Sequence, residues 1–312
     1  MLDVRCSSVQ EFFPMNLIEQ AKDLGFVAIG FSRPGKPIFF DRFSEWISSG
    51  RHGDMAWMER HLDIRRDPTR LLKGCRTVIS LAYPYSREKP CTPEGFSAAR
   101  YTEPSKADYH HRLKKLAKVL GRTIREKYPG ARIRVCVDSA PILERSFAYS
   151  SGIGFIGKNN MLIVPGHGSF LFLGEILTTA PIPHDRSEPM KGPCGTCTRC
   201  IDACPTGALE APYRLDASRC LSYLTIEKKG SIGLDTGQKM GGNFFGCDVC
   251  QEVCPFNGET GKRTTALPPI DAILAMTDGE FARTFGKTAL ARAGLNKIKD
   301  NVRNMMKEAR QI

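Results

Sequence analysis

Eight of the twelve cysteines in this 312-residue chain lie between positions 194 and 254, and their spacing dictates how the surrounding chain can fold. The first run is Cys194-x2-Cys197-x2-Cys200-x3-Cys204-Pro205; the second is Cys220, then Cys247-x2-Cys250-x3-Cys254-Pro255. A Cys-x2-Cys-x2-Cys loop wraps one side of a cubane cluster with three thiolates. In the bacterial two-cluster arrangement the Cys before Pro ligates the other cluster. The spacing therefore predicts one 4Fe-4S cluster on Cys194, Cys197, Cys200 and Cys254. The second would take Cys204, Cys247 and Cys250. A regular repeat would complete it at position 244, but Phe244 stands there, and Cys220 is the available substitute from a long insertion.

Two structural zinc sites are the competing use of eight cysteines, although zinc knuckles are usually separated Cys-x2-Cys pairs. Disulfides fit less well. The opening MLDVRCSSVQEFFPM has no basic segment followed by an apolar one, so no secretion signal is expected. A cytoplasmic protein this rich in cysteine more often binds metal than cross-links itself. Cys6, Cys75, Cys91 and Cys136 are expected to be buried, inert thiols.

With 41% hydrophobic and 25% charged residues, the chain can build two proper cores. No apolar stretch approaches a membrane span; the longest, around 162–177, is broken by Pro165, Gly166, His167 and Gly168. The net charge of +12 points to a polyanionic partner, nucleic acid first. Basic residues crowd 100–134, from Arg100, Lys106 and Arg112 to Arg132 and Arg134. There Leu113, Leu116, Leu120 and Ile124 recur at helical spacing, so many of the charges coat an amphipathic helix. The last thirty residues repeat the theme, with Arg283, Lys287, Arg292, Lys297, Lys299, Arg303, Lys307 and Arg310.

The pattern predicts a helix over 15–25, a short strand at 26–31 and buried strands at 76–83 and 132–138, with helices at about 108–128 and 139–151. Residues 161–164 and 169–177 read as a hairpin turned by Pro165-Gly166-His167-Gly168. The mixture suggests an α+β fold: a catalytic domain over 1–185, a two-cluster ferredoxin-like module over 186–260 after a Pro-rich linker, and a basic helical tail over 261–312. Gly152-x-Gly154-x-x-Gly157 matches the dinucleotide fingerprint by letter. It follows a helical stretch rather than a strand, however, and Asn159 replaces the Ser or Thr that a P-loop would need after Lys158. A tight loop where backbone passes close to another element is the better reading.

Several motifs together resemble the epoxyqueuosine reductases. They are Val137-Asp138-Ser139-Ala140-Pro141-Ile142-Leu143-Glu144-Arg145, then Gly152 to Asn159, then Gly168-Ser169-Phe170-Leu171-Phe172-Leu173-Gly174-Glu175-Ile176, besides the two cysteine runs. The likeness covers most of 10–260 and weakens beyond 262. It implies a cobalamin-binding N-terminal α/β-sandwich-like domain, the two 4Fe-4S clusters and action on the anticodon stem-loop of tRNA. The reaction removes the epoxide oxygen of epoxyqueuosine at the wobble position to give queuosine. With no secretion signal the protein is expected in the cytoplasm. One that wraps an anticodon stem has little need of a partner subunit, so a monomer is expected; the electron donor is not named by the sequence. Reductive dehalogenases share the overall plan, so a corrinoid reductase of small molecules is the alternative; an iron–sulfur carrier fused to an RNA-binding domain is a third.

Asp138 matches the family's proton donor, and burial beneath a corrin would raise its pKa; a helix N-cap is its plainer role. By the same resemblance His61, Arg145, Ser222 and Asp248 are expected to contact cobalamin or its surroundings. Lys228 and Lys229 are candidate phosphate contacts. The Asp-x-His-x-x-Gly pattern that supplies a histidine to cobalt is absent: Asp108-Tyr109-His110 comes nearest, with Leu113 in place of Gly. The family holds its corrin without that histidine.

Overall fold

The computed structural model describes residues 7–184 and 188–309; Cys6 and Arg310 lie outside them. The N-terminal half comprises α1 (Ser7–Asp23), β1 (Ala28–Ser32), α2 (Phe40–Ser48), α3 (Leu62–Arg66), β2 (Thr77–Pro84), β3 (Lys89–Cys91) and β4 (Ser97–Ala98). It continues through α4 (Tyr109–Lys127), β5 (Ile133–Cys136), α5 (Glu144–Ser150), β6 (Phe155–Ile156), β7 (Leu162–Ile163) and β8 (Leu171–Thr178). Strands β1-β2-β8-β5 form a sheet that is antiparallel at every step. Residues alternate across it. Ile79, Leu81 and Ile176 face α1 and α4, where Leu17, Ala21, Leu120 and Ile124 close one core. Val78, Cys136 and Leu177 face Phe147 of α5 on the other side. The expected sandwich is therefore a sheet between two helical layers, and the predicted Leu113–Ile124 stripe is its buried face.

The predicted 161–177 hairpin is only partly right. Val164 and Gly168 exchange backbone hydrogen bonds of 2.9 Å across the turn. Beyond it the strands part: β7 pairs with β6, whereas β8 pairs with β2 and β5. A continuous apolar run such as 170–177 fits any buried strand and does not encode its neighbour. Helix α5 also begins later than expected, at Glu144. Asp138 does not cap it; Leu143 takes that position.

The second half comprises α6 (Arg199–Asp202), β9 (Leu209–Ala211), β10 (Arg214–Leu215), α7 (Leu221–Ile226), α8 (Leu234–Gln238), β11 (Asn243–Phe245) and α9 (Val249–Glu252). It ends with β12 (Arg263–Thr265), α10 (Ile270–Ala275), α11 (Asp278–Phe285) and α12 (Leu295–Ala309). Each cysteine run closes into one helical turn, α6 around Cys200 and α9 around Cys250, and the two turns pack together.

The expected boundaries do not separate independent cores. Strand β11 joins β4, and β12 joins β3, in one four-stranded sheet that crosses both boundaries. Nor is the C-terminal segment an appendage. Leu267, Ile270, Ile298 and Val302 share a core with Ala98, Leu221, Phe244 and Phe245. Phe244, at the position where a regular repeat would carry cysteine, is a fully buried part of that core. Among the described residues, no helix is long and apolar enough to cross a membrane.

Asn301 on α12 ties this core together. Its completely buried amide donates to the carbonyls of Thr225 at 2.8 Å and Phe244 at 3.0 Å. Asn301→Ala strands two buried carbonyls and should destabilise the fold by about 2 kcal/mol or more, read as a lowered thermal midpoint. A midpoint equal to the parent's would mean that α12 is peripheral.

Candidate active site

A cavity of about 850 Å³ lies where the antiparallel sheet meets the cysteine module. Its walls are largely aromatic and aliphatic, including Phe39, Phe43, Trp46, Trp57, Met58, Tyr149 and Phe172. One wall presents Cys204, Cys220, Cys247 and Cys250, and another presents Asp138. A broad apolar slot between an electron-carrying group and an acid suits a flat organic cofactor with a substrate above it.

The thiols of the two cysteine runs feel one another's charge. Cys200 is pushed up by burial and by the charges of Cys254, Cys194 and Cys197. Cys250 is pushed up by burial and then most by Cys247 and Cys220. Cys247 reaches about 12 by burial, with Cys220 adding to it. Cys250 also feels the charges of Cys200 and Cys204, so the cysteines of the two runs lie close together. Among the described residues, no three His, Cys, Asp or Glu side chains converge as one bound metal ion would require. Positive iron in a bound cluster would relieve the repulsion between thiolates.

Around the second set the backbone is pinned. The Cys247 N–H donates to Ser222 Oγ at 3.1 Å, so Ser222 positions a ligand-bearing loop. Asp248 is buried and accepts from the Arg100 N–H at 2.9 Å and its guanidinium at 3.3 Å. Arg100 also bonds Glu252, which Lys89 Nζ reaches at 2.9 Å. Arg100 was expected in a solvated basic patch; instead it is 3% exposed and neutralises the carboxylates that flank α9.

Asp138, two residues beyond β5, takes the left-handed conformation, at φ 52°, and its carboxylate lines the cavity. Its Oδ2 accepts from the Tyr109 hydroxyl at 2.6 Å and meets His110 Nε2 at 3.1 Å and Arg292 Nη1 at 3.3 Å. The other imidazole nitrogen meets Asp108 Oδ1 at 2.6 Å, and Asp108 also caps α4 through the His110 N–H. In this arrangement three partners oppose the expected rise in the Asp138 pKa. Burial pushes its carboxyl up, but His110, Tyr109 and Arg292 outweigh burial and hold it well below the usual carboxylate range. The raised acid is Glu144: burial and the Asp138 charge push it up to about 8. Glu144 Oε1 accepts the Asp138 N–H at 2.5 Å. Beneath it, Glu175 on β8 is completely buried and raised by burial and by Glu144.

The other expected residues divide. Arg145, Ser222 and Asp248 line the cavity, Arg145 donating to the Asn160 carbonyl at 2.5 Å rather than to Glu144 or Glu175. His61 does not line it. It precedes α3 in a left-handed conformation at φ 61° and is exposed, while Trp57 and Met58 supply that segment's contacts. Lys228 and Lys229 follow α7 outside the lining; their neighbour Glu227 lines it and pairs with Arg292 at 2.8 Å. Sequence reasoning missed Tyr109, His110, Glu144 and Arg292 as site residues. The Asp108-Tyr109-His110 triplet was noticed only as a failed cobalt-ligating motif, and Arg292 comes from the segment expected to be a tail.

Residues 193–257 match the 4Fe-4S double cluster binding domain. Residues 65–139 match the family described as epoxyqueuosine reductase QueG, DUF1730. An epoxyqueuosine reductase from Leadbetterella byssophila is 36% identical over 293 residues, covering 90% of this chain and 94% of the relative. The structure of the Streptococcus thermophilus epoxyqueuosine reductase aligns with a TM-score of 0.86 at 28% identity, covering 96% of this chain and 82% of that one. A crystal structure of epoxyqueuosine reductase with an epoxyqueuosine-modified tRNA-Tyr stem loop aligns at 0.82 and 30% identity, covering 95% and 81%.

His110 carries the testable signature. Burial lowers its pKa, but its two carboxylate partners raise it further, so the net direction is up. In NMR titrations it should change charge above the ordinary imidazole value of about 6.5, and at lower pH once Asp138→Asn removes one partner. A titration indifferent to that substitution would break the assigned network.

Proposed function

The chain belongs to the epoxyqueuosine reductase family, and from that membership we infer that it reduces epoxyqueuosine to queuosine in tRNA, with two 4Fe-4S clusters and cobalamin as cofactors. The observation that carries this reading is the single cavity wall-to-wall between four cluster-type thiols and the Asp138 network. Cys194, Cys197, Cys200 and Cys254 would hold the outer cluster; Cys204, Cys220, Cys247 and Cys250 the one beside the cavity. The aromatic walls would hold the corrin. Cobalamin would supply a strongly reducing cobalt centre there, and the clusters single electrons.

The remaining chemistry belongs to the chain's own side chains. Converting an epoxide to an alkene consumes two electrons and two protons and releases water. Asp138 is an anion bonded to His110, whose pKa its carboxylate partners raise, and to the Tyr109 hydroxyl. As negative charge grows on the departing oxygen, that oxygen competes with the carboxylate for protons. A proton from His110, which Asp108 steadies, is then relayed across the Asp138 carboxylate to that oxygen, leaving Asp138 an anion again. Glu144, protonated at neutral pH and in contact with the Asp138 backbone, is placed to supply the second. Arg292, between Asp138 and Glu227, moderates the negative charge of both carboxylates.

The substrate base must leave its stack to reach such a pocket, which single-stranded anticodon loops permit and helical RNA does not. Lys228 and Lys229 follow α7, just beyond Glu227, which pairs with Arg292 of the Asp138 network. They are candidate phosphate contacts. The protein is assigned to the cytoplasm, where tRNA is modified, as a monomer with an unidentified electron donor.

Asp138→Ala should lower turnover of epoxyqueuosine-containing tRNA by about 10²–10⁴-fold, the usual worth of a positioned general acid. The spectra of bound cobalamin and clusters should persist. Turnover equal to the parent's would remove Asp138 from the chemistry.

A further inference from the structure

The Gly152–Asn160 segment, which imitates two nucleotide-binding motifs, has another use. Its glycines are there for packing: a Cβ on Gly154 would lie 2.4 Å from the Ile163 carbonyl oxygen, and one on Gly157 2.7 Å from the Ile163 side chain. The segment therefore folds as the tight β6–β7 hairpin, and its turn projects toward the cysteine module. Lys158 Nζ donates to the carbonyls of Gly195 at 2.6 Å and Cys197 at 2.9 Å, within the first cysteine loop. The buried amide of Asn159 donates to the carbonyl of Cys250 at 3.1 Å, in the second run. The Lys158 carbonyl in turn accepts the Tyr213 N–H at 3.0 Å.

We propose that the β6–β7 turn is a clasp between the catalytic domain and the electron-carrying module, and that the Lys158 ammonium favours the reduced form of the cluster on Cys194, Cys197, Cys200 and Cys254. This rests on the cluster-ligand assignment made above. A cluster with four thiolate ligands gains one negative charge on reduction. A lysine ammonium held on the carbonyls of its binding loop stabilises that added charge, as charge and hydrogen bonding around clusters generally tune their potentials. Asn159, uncharged and bonded to the other run, positions the second loop without the same electrostatic bias. Adjacent residues of one turn thus hold both cysteine runs but charge only one.

The test is an EPR-monitored redox titration of the anaerobically purified full chain, comparing the parent with Lys158→Gln and Lys158→Arg, alongside iron and sulfide analysis. In Lys158→Gln one cluster should become about three- to tenfold harder to reduce at a fixed potential, tenfold being 59 mV for a one-electron couple. The other cluster should keep its midpoint, and Lys158→Arg should restore the first. Selective loss of one cluster from Lys158→Gln, with both retained in Lys158→Arg, also supports the clasp. Two intact clusters with unchanged midpoints in Lys158→Gln would overturn it, as would Gln and Arg variants that behave alike. Parent protein lacking iron and sulfide would overturn the cluster assignment itself, an outcome that metal analysis separates from failure of the clasp alone.

Discussion

Four thiols gathered around one point repel one another as thiolates and, when buried, resist ionising at all. The spacing assigns two such sets here, and neither would be made by its own loop alone. In that assignment the last cysteine of each run belongs to the other set, so the sets would stand or fall together. Their geometry is held from outside: Ser222 on the Cys247 backbone, Arg100 on Asp248 and Glu252, and the β6–β7 turn on both loops. The shared β11-β4-β3-β12 sheet then fixes this assembly to the catalytic domain.

That constraint explains why the cavity lies where it does. It is bounded by the second set of thiols and by the end of β5, two features that the folding of β3 and β4 across the boundary brings together. The Asp138 network is built with the same economy. Asp108 caps α4 and orients His110, and both His110 and Tyr109 then reach Asp138. Arg292 arrives from the far end of the chain to complete the charge balance.

The cysteine sets, the main strands and the Leu113–Ile124 face of α4 could be read directly, because local spacing encodes them. Asp138 could be singled out by resemblance, but not its ionisation. That depends on Tyr109, His110 and Arg292, which are remote in sequence and meet only in the fold. The same limit hid the partner of β8, since a strand buried on both faces carries no register mark. It also made residues 261–312 look like a tail: the apolar positions of α12 face a core built from residues up to two hundred positions earlier. Arg100 was misplaced for the opposite reason. A charge count treats every arginine as solvated, and this one is buried against carboxylates and the Phe170 ring.

The electron path is the element on which everything else rests, and its contents can be weighed. Anaerobically purified protein should contain four iron atoms and four sulfides for each of two clusters, together with cobalt in bound corrin, by elemental analysis of a single preparation. Zinc in their place, with no sulfide, would contradict the account and leave the Asp138 network without a reaction to serve.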